Sequence, residues 1–302
     1  MCTLTSPTHS TTASLVVTLL LGVTGLATGL VEVAAQNTQN GTRPMTFLDA
    51  QEFARPGAWT PSPDGRWMLY TVSTPDWQEA ESQSDIHLVS MAAGLSSSRQ
   101  MTYTDDKNET SPTWSRDGSF FVFASNRDAS GGRAENRATS NRNGSEGRNE
   151  DQLYYMRPDG GEARRLTDAE EGVSDFAFSR DGLWLVYRSG VSGQEQLFRL
   201  PIDGILTADA EQLTEVSAGI DQWEWAPDGQ SIYFIKPDSR DEDDVRRRAS
   251  GFTVDIKNMV TPLSNLWQLE LDPRSTRQLT DDASLSVTGF DISDDGRWIT
   301  FT

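Results

Sequence analysis

The side chains that could do chemistry in this 302-residue chain are few. A Ser-His-Asp triad needs a histidine to take the serine proton. The chain has two, His9 and His87. His9 lies in the N-terminal segment. His87 occupies a slot that Tyr154, Phe198 and Trp267 fill in three similar segments, so it reads as a packing residue. No G-x-S-x-G nucleophile elbow occurs. The sole cysteine is Cys2, so the downstream chain has no disulfide and no cysteine metal site. Asp291, Ser293 and Asp295 before Gly296 resemble part of a calcium loop. They also match a turn that recurs along the chain, and the turn reading is preferred. Glu170 and Glu171 are adjacent carboxylates that could hold a peptide amino group by charge-assisted hydrogen bonds. They are the only substrate-binding candidates, and a solvated loop is the plainer account of them. No catalytic, metal or cofactor residue is assigned, and no cofactor is expected.

The elements that would position such groups follow from repetition. A turn recurs five times: SPDGRW from Ser62, SRDGSF from Ser115, SRDGLW from Ser179, APDGQS from Ala226 and SDDGRW from Ser293. A second phrase precedes the last four turns and ends at Thr102, Thr167, Thr214 and Thr280. From that Thr to the turn Asp the gap is 15, 14, 14 and 15 residues, whereas successive turn Asp residues are 53, 64, 47 and 67 apart. One part of the unit is rigid and another accepts insertions, as in stacked sheet modules with variable loops.

Asp-Gly between apolar runs favours a tight hairpin. Four and six residues after each turn Asp come large apolar side chains, such as Phe121 and Phe123, or Ile232 and Phe234. Five and three before it come others, such as Trp223 and Trp225. The period of two predicts strands with a buried face. A third strand follows (DIHLV from Asp85, QLYYM from Gln152, QLFRL from Gln196, NLWQL from Asn265), and a fourth leads into the Leu-Thr phrase. The predicted fold class is all-β: a β-propeller of four-stranded antiparallel blades, with about four blades and the start of a fifth. The chain stops within a predicted strand, and a truncated propeller is expected.

Three segments stand apart. Residues 1–35 combine an apolar run, Leu15 to Val31, with Val33-Ala34-Ala35. They read as a secretory signal or an N-terminal anchor, although no Lys or Arg precedes the run. Residues 36–46 read as a linker and 47–302 as the propeller. Long insertions are expected at 127–151, rich in Gly, Ser, Asn and Arg, and at 237–262, where Asp241 to Asp244 precede Arg246 to Arg248 and Phe252 to Ile256 suggests an extra strand. The net charge of −19, from 45 acidic and 26 basic side chains, disfavours nucleic acid and anionic membrane as partners. Membrane contact is expected only through an uncleaved N-terminal segment, and the expected location is periplasmic or secreted.

The S-x-D-G-x-W turn and its R-x-L-T partner resemble the repeats of TolB-like and WD-like propellers. Together with DEDDVRRRASGFTVDIKN and TPLSNLWQLELDPRSTRQLT, residues 45 to 302 resemble the N-terminal propeller of the prolyl oligopeptidase family of serine peptidases, in its dipeptidyl peptidase and acylaminoacyl peptidase branches. The resemblance implies a propeller that gates a C-terminal α/β-hydrolase domain, admits peptides and excludes folded proteins. It implies that the nucleophile lies in that domain, so this chain alone is expected to be inactive. The Glu pair that some dipeptidyl peptidases place on a propeller helix is not transferred to Glu170 and Glu171, whose context differs. The alternatives are a TolB-like periplasmic scaffold that binds proteins or peptides, and a self-contained propeller enzyme, for which no carboxylate cluster is found.

Overall fold

Each S-x-D-G phrase closes a hairpin through its side chains. A computed structural model describes residues 43–76, 81–104, 107–127, 151–238, 246–247, 250–252 and 262–302. At the second turn the Ser115 hydroxyl donates to Asp117 Oδ1 (2.7 Å), and the same hydroxyl accepts from the Phe120 amide. At the third, Ser179 and Asp181 repeat the arrangement, with Trp184 N donating to Ser179 Oγ. The Asp stays in ordinary backbone geometry. Only the glycine turns left-handed, at φ +70° for Gly118 and +73° for Gly182, which a side chain would strain. The loop is therefore longer than a two-residue hairpin, with Ser115 N donating to Phe120 O across four intervening residues.

The turn also has a pH signature. The Ser62 hydroxyl, then the Arg66 amide and guanidinium, bind the Asp64 carboxylate and lower its pKa from 3.8 to about 2. A depressed carboxylate contributes stability above its unfolded value and loses it as pH falls through the folded value. Asp64→Asn should therefore lower the urea midpoint at pH 7, and the difference from wild type should vanish between about pH 4 and pH 2.

Four antiparallel four-stranded sheets follow in chain order. The first holds β1 (Arg55–Pro61), β2 (Trp67–Asp76), β3 (Glu81–Ser90) and β4 (Arg99–Gln100). The second holds β5 (Glu109–Trp114), β6 (Phe121–Ser125), β7 (Gln152–Met156) and β8 (Arg164–Arg165). The third holds β9 (Val173–Phe178), β10 (Trp184–Ser189), β11 (Gln196–Pro201) and β12 (Glu211–Gln212). The fourth holds β13 (Gln222–Trp225), β14 (Ser231–Pro237), β15 (Ser264–Leu271) and β16 (Arg274–Gln278). A two-stranded sheet, β17 (Phe290–Ile292) and β18 (Ile299–Phe301), comes last. The expected all-β blades and the opening of a fifth are borne out. A short helix, α1 (Phe47–Gln51), precedes β1, capped by the Thr46 hydroxyl on Asp49 N.

The long insertions join second to third strands, β6 to β7 and β14 to β15. Residues 128–150 and 253–261 lie outside the described residues, as does the predicted signal over 1–35. Phe252 is described and is not in a strand; the rest of the suggested extra strand, 253–256, lies outside.

Sequence periodicity suggested one buried face per strand. The second strands of the second, third and fourth sheets are buried largely on both, and every residue of β6 is buried. Neighbouring sheets stack face to face, which supplies the reason. Phe121 and Phe123 pack back on Leu69, Ile86 and Leu88 of the first sheet. Val122 between them packs forward with Val173, Leu185 and Tyr187 of the third. The pattern repeats one sheet on: Val186 and Leu197 meet Trp223, Ile232 and Phe234. Then Ile235 and Leu266 meet Val287 and Phe290. Each inter-sheet seam is a core in its own right.

The Leu-Thr phrase ties the fourth strand back to the third. Thr167 Oγ1 donates to Gln152 Oε1 (2.8 Å) and accepts from Leu153 N (2.9 Å). Thr214 does the same with Gln196 and Leu197, Thr280 with Asn265 and Leu266, and Thr102 with Asp85 and Ile86. Each third strand thus carries a polar residue, Asp85, Gln152, Gln196 or Asn265, where it meets this hydroxyl. Thr167→Val orphans the buried Leu153 amide, while Gln152 Oε1 keeps the Ala169 amide as donor. It should cost about 1–3 kcal/mol in chemical denaturation, and Thr167→Ser should restore most of it.

Candidate functional site

The first strand of each sheet is paired on one side only, because β5, β9 and β13 stand at the ends of their sheets. Side chains join one first strand to the next. Thr60 Oγ1 on β1 donates to Pro112 O on β5, and Trp114 Nε1 donates back to Thr60 O. Trp223 Nε1 on β13 donates to Asp175 Oδ1 on β9 (2.7 Å). Gln222 brackets Phe290 on β17, donating to its carbonyl oxygen and accepting from its amide. The first strands therefore line up as the inner wall of the propeller.

Three of them, β5, β9 and β13, together with the turns after β5 and β9, line an open cavity of about 540 Å³. Four consecutive β9 residues, Asp175 to Phe178, line it, as expected where a strand edge faces the space. Trp114, Trp223 and Trp225 supply aromatic wall, and Arg116 and Arg180 stand beside the S-R-D-G turns. The acidic groups differ in state. Asp175 is satisfied, by Trp223 on one oxygen and by Arg188 on the other (3.0 Å). Arg188 also donates to the carbonyl oxygens of Ile220 and Asp221, bracing β10 against the fourth sheet. Among the described residues Glu224 has only Gln222 as a hydrogen-bond partner, at 3.3 Å. Burial raises its pKa; the nearby Asp291 charge adds to the rise and the Gln222 bond opposes it.

The sequence candidates lie elsewhere. Glu170 is exposed and Glu171 half-buried, in the turn before β9, and neither lines the cavity. His87 stacks on Tyr70 across the β2–β3 ladder (5.4 Å), as Tyr154 stacks on Phe123 and Phe198 on Tyr187. Burial lowers its pKa, with Asp85 opposing. Asp295 is taken up by its own turn, accepting from Ser293 Oγ, Arg297 N and Arg297 Nε. Among the described residues no group of three or more His, Cys, Asp or Glu is placed to hold a metal.

Two features were not picked out from the sequence, though both have a signal there. Four residues before each turn Asp stand Thr60, Thr113, Ala177, Glu224 and Asp291, the positions between the apolar pairs. Eight before it stand Pro56, Glu109, Val173, Ile220 and Val287. Val173, Ile220 and Val287 are buried, and so, fully, is Glu109. Blade two thus buries a carboxylate in a slot that the next three fill with aliphatic side chains. Glu109 Oε1 receives Arg127 Nη2 (2.8 Å), Thr104 Oγ1 and Ser125 Oγ, whereas Oε2 has no partner among the described residues. Arg127 lies over the rings of Phe123 and Tyr154.

No family model matches the chain. It is 25% identical over 138 residues to Dipeptidyl-peptidase 5 of Porphyromonas endodontalis, a match covering 46% of this chain and 17% of that protein. It is 31% identical over 122 residues to Uncharacterized peptidase YuxL of Bacillus subtilis, covering 40% and 15%. This chain is a β-propeller distantly related to peptidase propellers. The matches span about a sixth of those curated relatives' length. Among solved structures, a candidate dipeptidyl aminopeptidase IV from Bacteroides ovatus aligns at a TM-score of 0.53 with 11% identity, covering 81% of this chain and 36% of that one. An oligogalacturonate lyase aligns at 0.51 with 15% identity, covering 82% and 61%. The two structural likenesses establish the fold, and a fold by itself selects no chemistry. The sequence matches carry the peptidase kinship.

Proposed function

We propose that this propeller is the substrate-admitting part of an exported serine peptidase of the prolyl oligopeptidase kind. The observation that carries the reading is the sequence match to two peptidases over 138 and 122 residues. The cavity is consistent with it. Its volume, about 540 Å³, falls within the roughly 300–1,000 Å³ of small-ligand sites, so it takes a short peptide segment and refuses a folded domain. The free strand edges offer backbone donors and acceptors to an extended chain, and the aromatic wall takes its side chains. In this reading the acyl-transfer chemistry belongs to an α/β-hydrolase domain of the full-length protein, and residues 1–35 direct export.

The full-length gene product, probed with a fluorophosphonate, decides the matter. A labelled polypeptide that carries this sequence and cleaves short peptides but not folded proteins is expected. Absence of label on every species that carries the sequence would overturn the reading in favour of a binding scaffold.

A further inference from the structure

Two exposed arginines line the cavity without an ion-pair partner among the described residues. Arg116 and Arg180 both stand one residue before the turn Asp, in the second and third blades. Arg116 Nε donates to Arg180 O (3.1 Å), which keeps the two residues together. The Arg116 stem packs so closely on the next turn that a Cβ on Gly182 would meet it at 3.0 Å. Neither guanidinium has a carboxylate partner among the described residues, in a chain of net charge −19. Two cations lining one cavity favour an anion there, and a carboxylate that reaches both gains charge-assisted hydrogen bonds.

We propose that Arg116 and Arg180 bind a carboxylate of a peptide whose neighbouring side chains rest against Trp225 and Phe178. This rests on the peptide-admitting reading above. Charge sets the direction. Glu224 stands three strand positions further from its turn than the arginines do from theirs, about 10 Å along the strands at roughly 3.3 Å per residue. It repels a carboxylate there, so the anionic end lies at the arginines. Three or four extended residues cover that distance. The carboxylate can be a C-terminus or an acidic side chain, since both present the same two oxygens.

The test is calorimetric titration of the full chain with three tetrapeptides: Ala-Ala-Phe-Leu as free acid, the same peptide as C-terminal amide, and Ala-Ala-Phe-Glu amide. The free acid should bind at least about tenfold more tightly than its amide, the size of one charge-assisted hydrogen bond. Its affinity should fall as salt rises. Recovery by the Glu-ended amide would assign the site to acidic side chains, and failure to recover would assign it to C-termini; either supports the proposal. The Arg180 guanidinium makes no hydrogen bond or ion pair among the described residues, so Arg180→Gln should fold normally and abolish the difference between acid and amide. Equal binding of acid and amide, or a difference that survives Arg180→Gln, would overturn the carboxylate site and leave the peptide reading standing. No binding of any peptide would overturn both.

Discussion

Arg127→Ala should destabilise the propeller by about 3–5 kcal/mol at pH 7, because it strips the partner from a fully buried carboxylate. Glu109 has no exposed side-chain surface and Arg127 has 15%. Burial raises the Glu109 pKa; Arg127, Thr104 and Ser125 oppose that rise without cancelling it. The pair is therefore a cost that the fold carries rather than a source of stability. Glu109→Val alone leaves the mostly buried Arg127 guanidinium without its carboxylate and should also destabilise, whereas Glu109→Val combined with Arg127→Leu, which replaces both partners, should be close to neutral or stabilising. The pH dependence follows from the sign of the shift. A carboxylate raised in the folded state contributes most below its unfolded value, near 4.5, and loses that contribution as pH rises through the folded value. The Arg127→Ala deficit should accordingly be smallest near pH 4.5 and grow toward pH 8. Urea denaturation across that range measures it. A deficit independent of pH would mean that the lost ring contacts, and not the stranded charge, account for the cost.

The blades were legible because their determinants are local. Ser115, Asp117 and Gly118 bond to one another within a few residues, and Thr167 meets Gln152 at a fixed offset, so spacing alone reveals both. The strand period was legible too, but not the second buried face. Val122 and Val186 look like ordinary alternation until a neighbouring sheet covers them. The cavity was illegible for the same reason. Arg116, Arg180 and Glu224 come from three turns and strands far apart in sequence, and only the stacking of sheets brings them to one space. Glu170 and Glu171 were chosen because adjacent carboxylates are conspicuous in a sequence, whereas Glu109 was hidden by being single. A comparison of equivalent positions across the repeats would have exposed it.

Trp223→Ala should cost about 3–5 kcal/mol and should also open the inner wall. Its ring is 9% exposed and belongs to the seam between third and fourth sheets. Its indole N–H holds Asp175 Oδ1, while Asp175 Oδ2 holds Arg188, and Arg188 Nη1 donates to Ile220 O and Asp221 O. The tryptophan is thus the pivot of a polar chain that runs from β13 to β9 to β10 and back to the entry of β13. Trp223→Phe separates the two roles. It keeps most of the buried ring area and removes only the N–H, and Asp175 remains partly exposed, so its stability cost should be about 1 kcal/mol. If the network positions the cavity wall, the Phe variant should bind peptide more weakly than its stability loss alone accounts for, because Asp175 is freed to turn. Thermal melts paired with peptide titration on both variants distinguish the cases. A Phe variant with full peptide affinity would show that the ring fills space while the cavity is positioned by the strand edges alone.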